Sequence, residues 1–389
     1  MKRFIALILA TLLCLSMAAC GGDPTPADIN YDTLKVAVIC ASSDEEEHSE
    51  AAAYLKQLET AASMVGIKKN QLVLYNEVSI TNSALAEEAI EECIQEGCAI
   101  IFGTSEGYAT AMKNLAKKYP RVSFVGLGEA DKTLDNYYAF RIKTYEGAYF
   151  CGLVAGIRSE SGVLGMVAPK GKEDVETCQI ANAFLLGARV TNAKATLNLI
   201  SIDAARSATK EEEAINALDA LKCDMVLITT RGDAARTCAA KEGMIALNMY
   251  TDPAQEDANV LYSVMPRFGD VFADAMQAIL SDAKPYYTDK YFGYVDGLLT
   301  CTAGSIMDKE STYGDIYVLP GEIQSVLFKG EWDVFSGEAF TWKKGKLTAK
   351  PAAIKDTEGN EKIAASAGIP SDKTLTAMDW LMEGITVKE

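Results

Sequence analysis

Tyr137-Tyr-Ala-Phe-Arg-Ile-Lys-Thr-Tyr-Glu-Gly-Ala-Tyr-Phe-Cys-Gly-Leu-Val-Ala-Gly156 is the stretch whose reading decides the fold. Its first third is β-branched and aromatic, which predicts a short strand. From Thr144 onward, small residues at Gly147, Ala148, Cys151, Gly152, Ala155 and Gly156 fall mostly three or four apart, on one face of a helix. A helix of that composition packs its backbone very close to a neighbour. Thr144 reads as its N-cap, and Glu146 in the first turn offsets the helix dipole. Strand-then-helix units precede the stretch and resume at Gly162, so it reads as a bridge between two α/β domains, where a hinge belongs.

Upstream, Leu34 to Ala41 is a continuous apolar run of strand length, as in a parallel strand buried on both faces. Strands over 71–76, 99–103 and 123–127 alternate with helices over 50–65, 83–96 and 108–119. Downstream, strands over 162–167, 195–202, 225–229, 245–249 and 260–264 alternate with helices over 175–191, 209–221 and 234–242. A helix over 268–280 and a strand over 291–299 follow. Alternation of this kind predicts parallel sheets with right-handed crossovers, and two such sheets joined by a bridge enclose a cleft. From Thr300 the chain is less regular. It carries Trp332, Trp342 and Trp380 and reads as β-rich cover on the second domain, closing with a short helix from Leu375 to Glu383. The tryptophans are expected to pack rather than to stack on a ligand.

Four segments carry a family resemblance. Tyr145-Glu-Gly-Ala-Tyr-Phe-Cys-Gly-Leu-Val-Ala-Gly156, then Asn182-Ala-Phe-Leu-Leu-Gly-Ala-Arg-Val-Thr-Asn-Ala-Lys-Ala195, Ala235-Arg-Thr-Cys-Ala-Ala-Lys-Glu-Gly243 and Tyr291-Phe-Gly-Tyr-Val-Asp-Gly-Leu298 occur in that order. Together they resemble the basic membrane lipoprotein family, the substrate-binding proteins of ABC transporters, many of which bind purine nucleosides. The resemblance runs from about Leu34 to Leu298, with a weaker echo at 375–384. It implies an α/β, type I periplasmic-binding-protein fold: two doubly wound parallel-sheet domains joined by a three-crossing hinge. The first domain would comprise 34–140 plus 265–297, and the second 141–264 plus 298–389. The implied role is to capture a purine nucleoside or nucleobase in the interdomain cleft, as a monomer without cofactor, and to deliver it to an ABC permease. A sugar or other polar metabolite is the alternative ligand, and a receptor subunit that senses without transporting is the alternative role.

The 389 residues are 49% apolar and 23% charged, ordinary for globular α/β proteins. The formal charge of −17 repels phosphate backbones and anionic lipid, which disfavours nucleic-acid binding. Residues 1–19 read as a signal peptide, with Lys2 and Arg3, an apolar run to about Met17, then Ala18 and Ala19. Leu-Ser-Met-Ala-Ala-Cys20 resembles the bacterial lipobox, which implies acylation of Cys20 and a protein anchored by lipid on the extracytoplasmic face of the cell membrane. Gly21 to Asn30 then reads as a flexible tether. Eight cysteines remain beyond Cys20, mostly where a strand or helix would bury them as small hydrophobes. Cys93 and Cys98 form the best candidate disulfide pair.

In open α/β sheets ligands sit beyond the carboxyl ends of the strands, so the candidates are the residues just after each strand. After the first strand these are Ser43, Asp44, His48 and Ser49. His48 stands about where the family carries an aromatic ring, and Ser49 about where it carries an Asn. His48 is the sole histidine; its imidazole either stacks on a base or is a plain surface residue. After the third strand, Gly103-Thr104-Ser105-Glu-Gly-Tyr108 is a small-residue turn into a helix. It either offers free N–H groups to a ligand oxygen or simply caps the helix. Glu129 follows the fourth strand as a carboxylate for ribose hydroxyls. On the second domain, Arg231 stands where many relatives have a His or Gln. It either pairs with an acidic neighbour or presents its guanidinium to the ligand. Asp252 and Asp296 match acidic family positions, and Phe268 falls where the family places a base-stacking aromatic. With one histidine, no Gly-x-Ser-x-Gly, no Walker loop and no metal-ligand spacing, no catalytic residue is assigned.

Overall fold

The computed structural model describes residues 32–43, 49–251, 259–304, 306 and 315–388. Cys20 and the leader, Asp44, His48 and Asp252 lie outside them.

The first half runs β1 (Lys35–Ile39), α1 (Glu50–Met64), β2 (Leu72–Tyr75), α2 (Ser83–Gln95), β3 (Cys98–Gly103), α3 (Ala109–Lys118), β4 (Ser123–Leu127) and β5 (Tyr137–Ile142). Each of its first two helices starts on a polar cap. Ser49 accepts from Ala52 N–H, and Asn82 accepts from Ala84 and Leu85 N–H, supplying partners for otherwise orphaned amides. The strands join in the order β2-β1-β3-β4-β5-β11, all parallel, where β11 is the two-residue strand Tyr291–Phe292. The second half runs α4 (Thr144–Arg158), β6 (Val163–Ala168), α5 (Val175–Arg189), β7 (Thr196–Ser201), α6 (Ala208–Ala220), β8 (Met225–Ile228), α7 (Ala234–Lys241), β9 (Ile245–Met249) and β10 (Val260–Pro266). Its sheet has the order β12-β10-β9-β8-β6-β7-β17, closed at its edges by β12 (Leu299–Ala303), which is antiparallel to β10, and β17 (Ile385–Lys388), which is parallel to β7.

Helix α8 (Gly269–Leu280) returns to pack on α1 of the first half. The chain therefore passes between the sheets three times: at β5 to α4, at β10 to α8, and at β11 to β12. The expected single strand over 291–299 is two short strands in different sheets. Asp296 closes the turn between them by accepting from Gly293 N–H at 2.7 Å, and Gly297 takes the left-handed conformation with φ 78° that ends the turn.

The small-residue face of the bridge helix meets α5. A Cβ on Gly152 would stand 2.1 Å from the Phe184 carbonyl oxygen, and one on Gly187 would stand 2.2 Å from that of Tyr149. The two backbones touch, and no larger residue fits. Thr144 is not the cap expected of it. The helix starts at Thr144 itself, and the Thr144 hydroxyl donates instead to Glu176 Oε1 at 3.3 Å.

Under the crossings, Lys143 Nζ lies 3.0 Å from Asp333 Oδ2 and 3.8 Å from Glu146 Oε1, and Tyr145 donates to Asp333 at 2.9 Å. Glu146 accepts from Tyr294 N–H at 2.7 Å. A Cβ on Gly293 would come within 2.4 Å of the Glu146 carboxylate, so the third crossing is fitted to that side chain. Burial pushes the Glu146 carboxyl up to about 7; Asp333 and Asp296 add to the push, while Lys143 and the Tyr294 N–H oppose it. A carboxyl raised above its unfolded value contributes stability that is complete below that value, near 4.5, and is lost as pH rises through 7. At about 1.4 kcal/mol per pKa unit the loss is on the order of 3 kcal/mol. Glu146→Gln cannot ionise, so the Tm difference between about pH 5 and about pH 8 should narrow relative to wild type in calorimetry. An unchanged pH dependence would remove Glu146 from this role.

Helix α9 (Asp315–Leu327), in the segment expected to be irregular, packs on α4, and Trp332 and Trp342 are buried, Trp332 against Tyr149 and Phe340. Two antiparallel pairs follow, β13 (Glu338–Lys343) with β14 (Lys346–Pro351), and β15 (Ile354–Lys355) with β16 (Glu361–Ile363). The last helix, α10 (Asp372–Thr376), stops well before Glu383. Asn182 of α5 takes over the backbone there, donating to Trp380 O and accepting from Met382 N–H. That arrangement turns the chain into β17. All eight described cysteines are free; Cys93 donates a thiol hydrogen bond to Cys98, which raises Cys93 and lowers Cys98.

Candidate ligand-binding site

The carboxyl ends of the two sheets face each other, and the loops beyond them touch. From the first half comes Glu50, the first residue of α1. Its Oε1 accepts from Ala41 N–H at 3.0 Å. From the second half comes Arg231, just after β8, anchored through its own N–H to Ala205 O and through Nη1 to Thr229 O. Arg231 Nε lies 3.0 Å from Glu50 Oε2, with the two side chains only 4% and 2% exposed. The contact is one of charge: the Nε–H is not aimed at the carboxylate and has no hydrogen-bond partner. Below the guanidinium lies the ring of Tyr250, 3.4 Å from Cζ, a cation–π geometry. Tyr250 donates to Glu176 Oε1 at 2.6 Å, and Glu176 also receives the Thr144 hydroxyl of the bridge helix. One polar chain thus links the first half, the second half and the first crossing.

Two features mark this centre as more than packing. Tyr250 holds φ 66°, a left-handed conformation that an aromatic residue adopts only when its surroundings impose it. The Tyr54 hydroxyl, fully buried within the field of Glu50 and Arg231, has no hydrogen-bond partner among the described residues. Buried polar groups are normally satisfied. Burial raises the Glu50 carboxyl, and the charge of Arg231 is the largest influence opposing that shift.

Of the residues expected at the site, the structure brings Arg231 to this centre; Ser49 directly precedes Glu50, and Ser49 and Ser43 are both buried. Ser49 caps α1. Thr104 donates to Ile39 O at 2.8 Å, Ser105 accepts from Gly107 N–H, and Tyr108 donates to Val78 O. That turn is therefore a cap and a strand spacer, and its side chains are engaged within the first half. Glu129 is 79% exposed, 3.9 Å from Arg141, and lines a separate groove of about 440 Å³ with Lys290 and Asp372. Asp296 is exposed and bonded within its own turn. Phe268 is 1% exposed and enclosed by Tyr54, Phe140 and Phe272. Nearby, Glu106 lies 3.9 Å from Arg141 and within the electrostatic reach of Glu176, Asp174 and Lys170. The enclosing walls, then Glu176, push Glu106 up to about 7. Its side chain is 42% open, so water screens much of that push. At the lip, Arg206 pairs with Glu77 across the two halves.

The sequence reading missed Glu50, Tyr54, Glu176 and Tyr250. Glu50 closes an acidic run, Glu45-Glu46-Glu47-His48-Ser49-Glu50, in which nothing separates it from its solvated neighbours. Tyr250 stands immediately beyond β9, where the rule of looking past each strand end reaches it.

Residues 42–243 match the family described as ABC transporter substrate-binding protein, PnrA-like. A purine-binding protein of Brucella abortus is 27% identical over 312 residues, 80% of this chain and 82% of that protein. A putative ABC transporter glucose-binding protein of Haloferax volcanii is 28% identical over 181 residues, 46% of this chain and 45% of that one. Among solved structures, an ABC transporter solute-binding protein from Aeropyrum pernix superposes with a TM-score of 0.61 at 13% identity, covering 80% of this chain and 94% of that one. At that identity the likeness speaks for the fold.

Proposed function

Because the chain belongs to the PnrA-like (basic membrane lipoprotein) family of ABC transporter substrate-binding proteins, which bind a small molecule for a permease and are not enzymes, we propose that it captures a purine nucleoside or nucleobase. The lobes that close on the ligand are 34–140 plus 265–297 and 141–264 plus 298–389. The observation that carries this reading is the Glu50–Arg231 contact between the two halves, beside the buried Tyr54 hydroxyl that has no hydrogen-bond partner among the described residues. A cleft bottom of that kind is completed by a polar, planar ligand. The purine-binding name of the Brucella abortus relative supports the choice of ligand. The glucose-binding name of the Haloferax volcanii protein favours a sugar as the second reading, over a shorter match. Isothermal titration with purine nucleosides, bases and a sugar panel separates them; sugar binding with no purine binding overturns the first.

The protein works as a monomer held to the extracytoplasmic membrane face through acylated Cys20, feeding a permease rather than a sensory receptor. No described helix is long and apolar enough to cross a membrane. Cys20→Ser removes the sulfur that a thioether-linked lipid requires and should release a folded protein from the membrane fraction. Unchanged fractionation would place the anchor elsewhere.

A further inference from the structure

We propose that Arg231 reads the acceptor edge of the ligand, so that the site selects 6-oxopurines, whether as base or as nucleoside, over adenine. This rests on the purine reading above. The Arg231 guanidinium is fixed on three sides, by Glu50, by the Thr229 carbonyl and by the Tyr250 ring face. A planar fork held in that way is pre-organised for planar recognition. Its buried Nε–H is left without a hydrogen bond. Glu50 accepts from the Ala41 N–H through Oε1 and turns Oε2 to the guanidinium at 3.0 Å, which holds the fork in place. The buried Tyr54 hydroxyl adds one more group, able to donate or to accept. Guanine and hypoxanthine present two acceptors side by side, O6 and N7, the edge on which arginine forms its bidentate pair, whereas adenine places an N6 donor beside N7 and suits asparagine or glutamine. The Glu50 charge offsets that of Arg231, so the centre has no surplus cation to draw a phosphate, and a nucleoside or base suits it better than a nucleotide.

The first test uses the wild-type protein alone. Isothermal titration should give inosine and guanosine an affinity roughly 5- to 150-fold above that of adenosine and of purine riboside, which has hydrogen in place of O6, the range set by one good bidentate pair. Equal or tighter binding of adenosine overturns the inference while leaving the purine reading intact; absence of binding by every purine overturns both. The second test is Arg231→Gln, with Arg231→Lys as a control that keeps the charge and loses the fork. Because the pair also joins the halves, every purine weakens to some extent; a reader of the edge loses 6-oxopurine affinity further than adenosine affinity in both variants, and the glutamine shifts preference toward adenosine. A contact that only holds the halves together weakens all purines by the same factor, and that result also overturns the proposal.

Discussion

Arg231→Ala is expected to weaken ligand binding by about 3–5 kcal/mol, the cost of leaving one partner of a buried ion pair unpaired. Glu50 and Arg231 belong to opposite halves and are almost fully enclosed where they meet. When the halves separate, both ends return to water, so the pair acts on closure. In the variant the closed form strands the Glu50 carboxylate, whose burial already pushes its pKa up. The penalty then falls on the closed, ligand-holding form and much less on Tm. Glu50→Gln in the same background should recover most of the loss, because a neutral amide tolerates the enclosure that a lone charge does not. Small-angle scattering of the ligand-free variant should show a more open particle than wild type. Affinity and particle size equal to wild type would mean that the pair is incidental to closure.

Phe268→Ala is expected to destabilise the fold by about 3–5 kcal/mol, as for other buried phenylalanines truncated in a close-packed core. The ring stacks on Phe272 at 5.7 Å with 19° between planes, takes the edge of Tyr54 at 4.8 Å, and meets Phe140 at 6.0 Å. Its backbone N–H is held by Gln57 Oε1 at 2.7 Å, which ties the second crossing to α1. Truncation removes the phenyl ring and opens a cavity between α1 and α8, and Phe268→Leu, which fills more of it, should cost much less. Ligand affinity should change less than stability. A variant that melts like wild type but loses purine binding would instead make this ring the stacking partner of the base.

The contrast between these two residues shows how far the sequence could be read. Its periodicities determined the class of fold. Continuous apolar runs such as Leu34 to Ala41 became parallel strands buried on both faces, and the small residues from Gly147 to Gly156 became a helix face that nothing larger could occupy. Those signals are local, because each position reports the surface it must bury within its own element. The terminal helix and the Thr144 cap were misread because partners far along the chain, Asn182 and Glu176, took the backbone or hydroxyl bonds that local propensity assigned elsewhere, and the strand over 291–299 because Asp296 closes a turn inside it whose flanks pair with different sheets. Site chemistry followed the same division. Strand-end logic located Arg231, but its partner lies 181 positions earlier in an acidic run. An aromatic residue in sequence has the same composition whether it faces a ligand or a core, so only the packing of α1 against α8 decided that Phe268 is enclosed by other rings. The sequence by itself determined two parallel α/β sheets and the bridge between them. Which charges meet across the cleft was decided by tertiary structure alone, because burial and pairing depend on surfaces that the chain brings together only when folded.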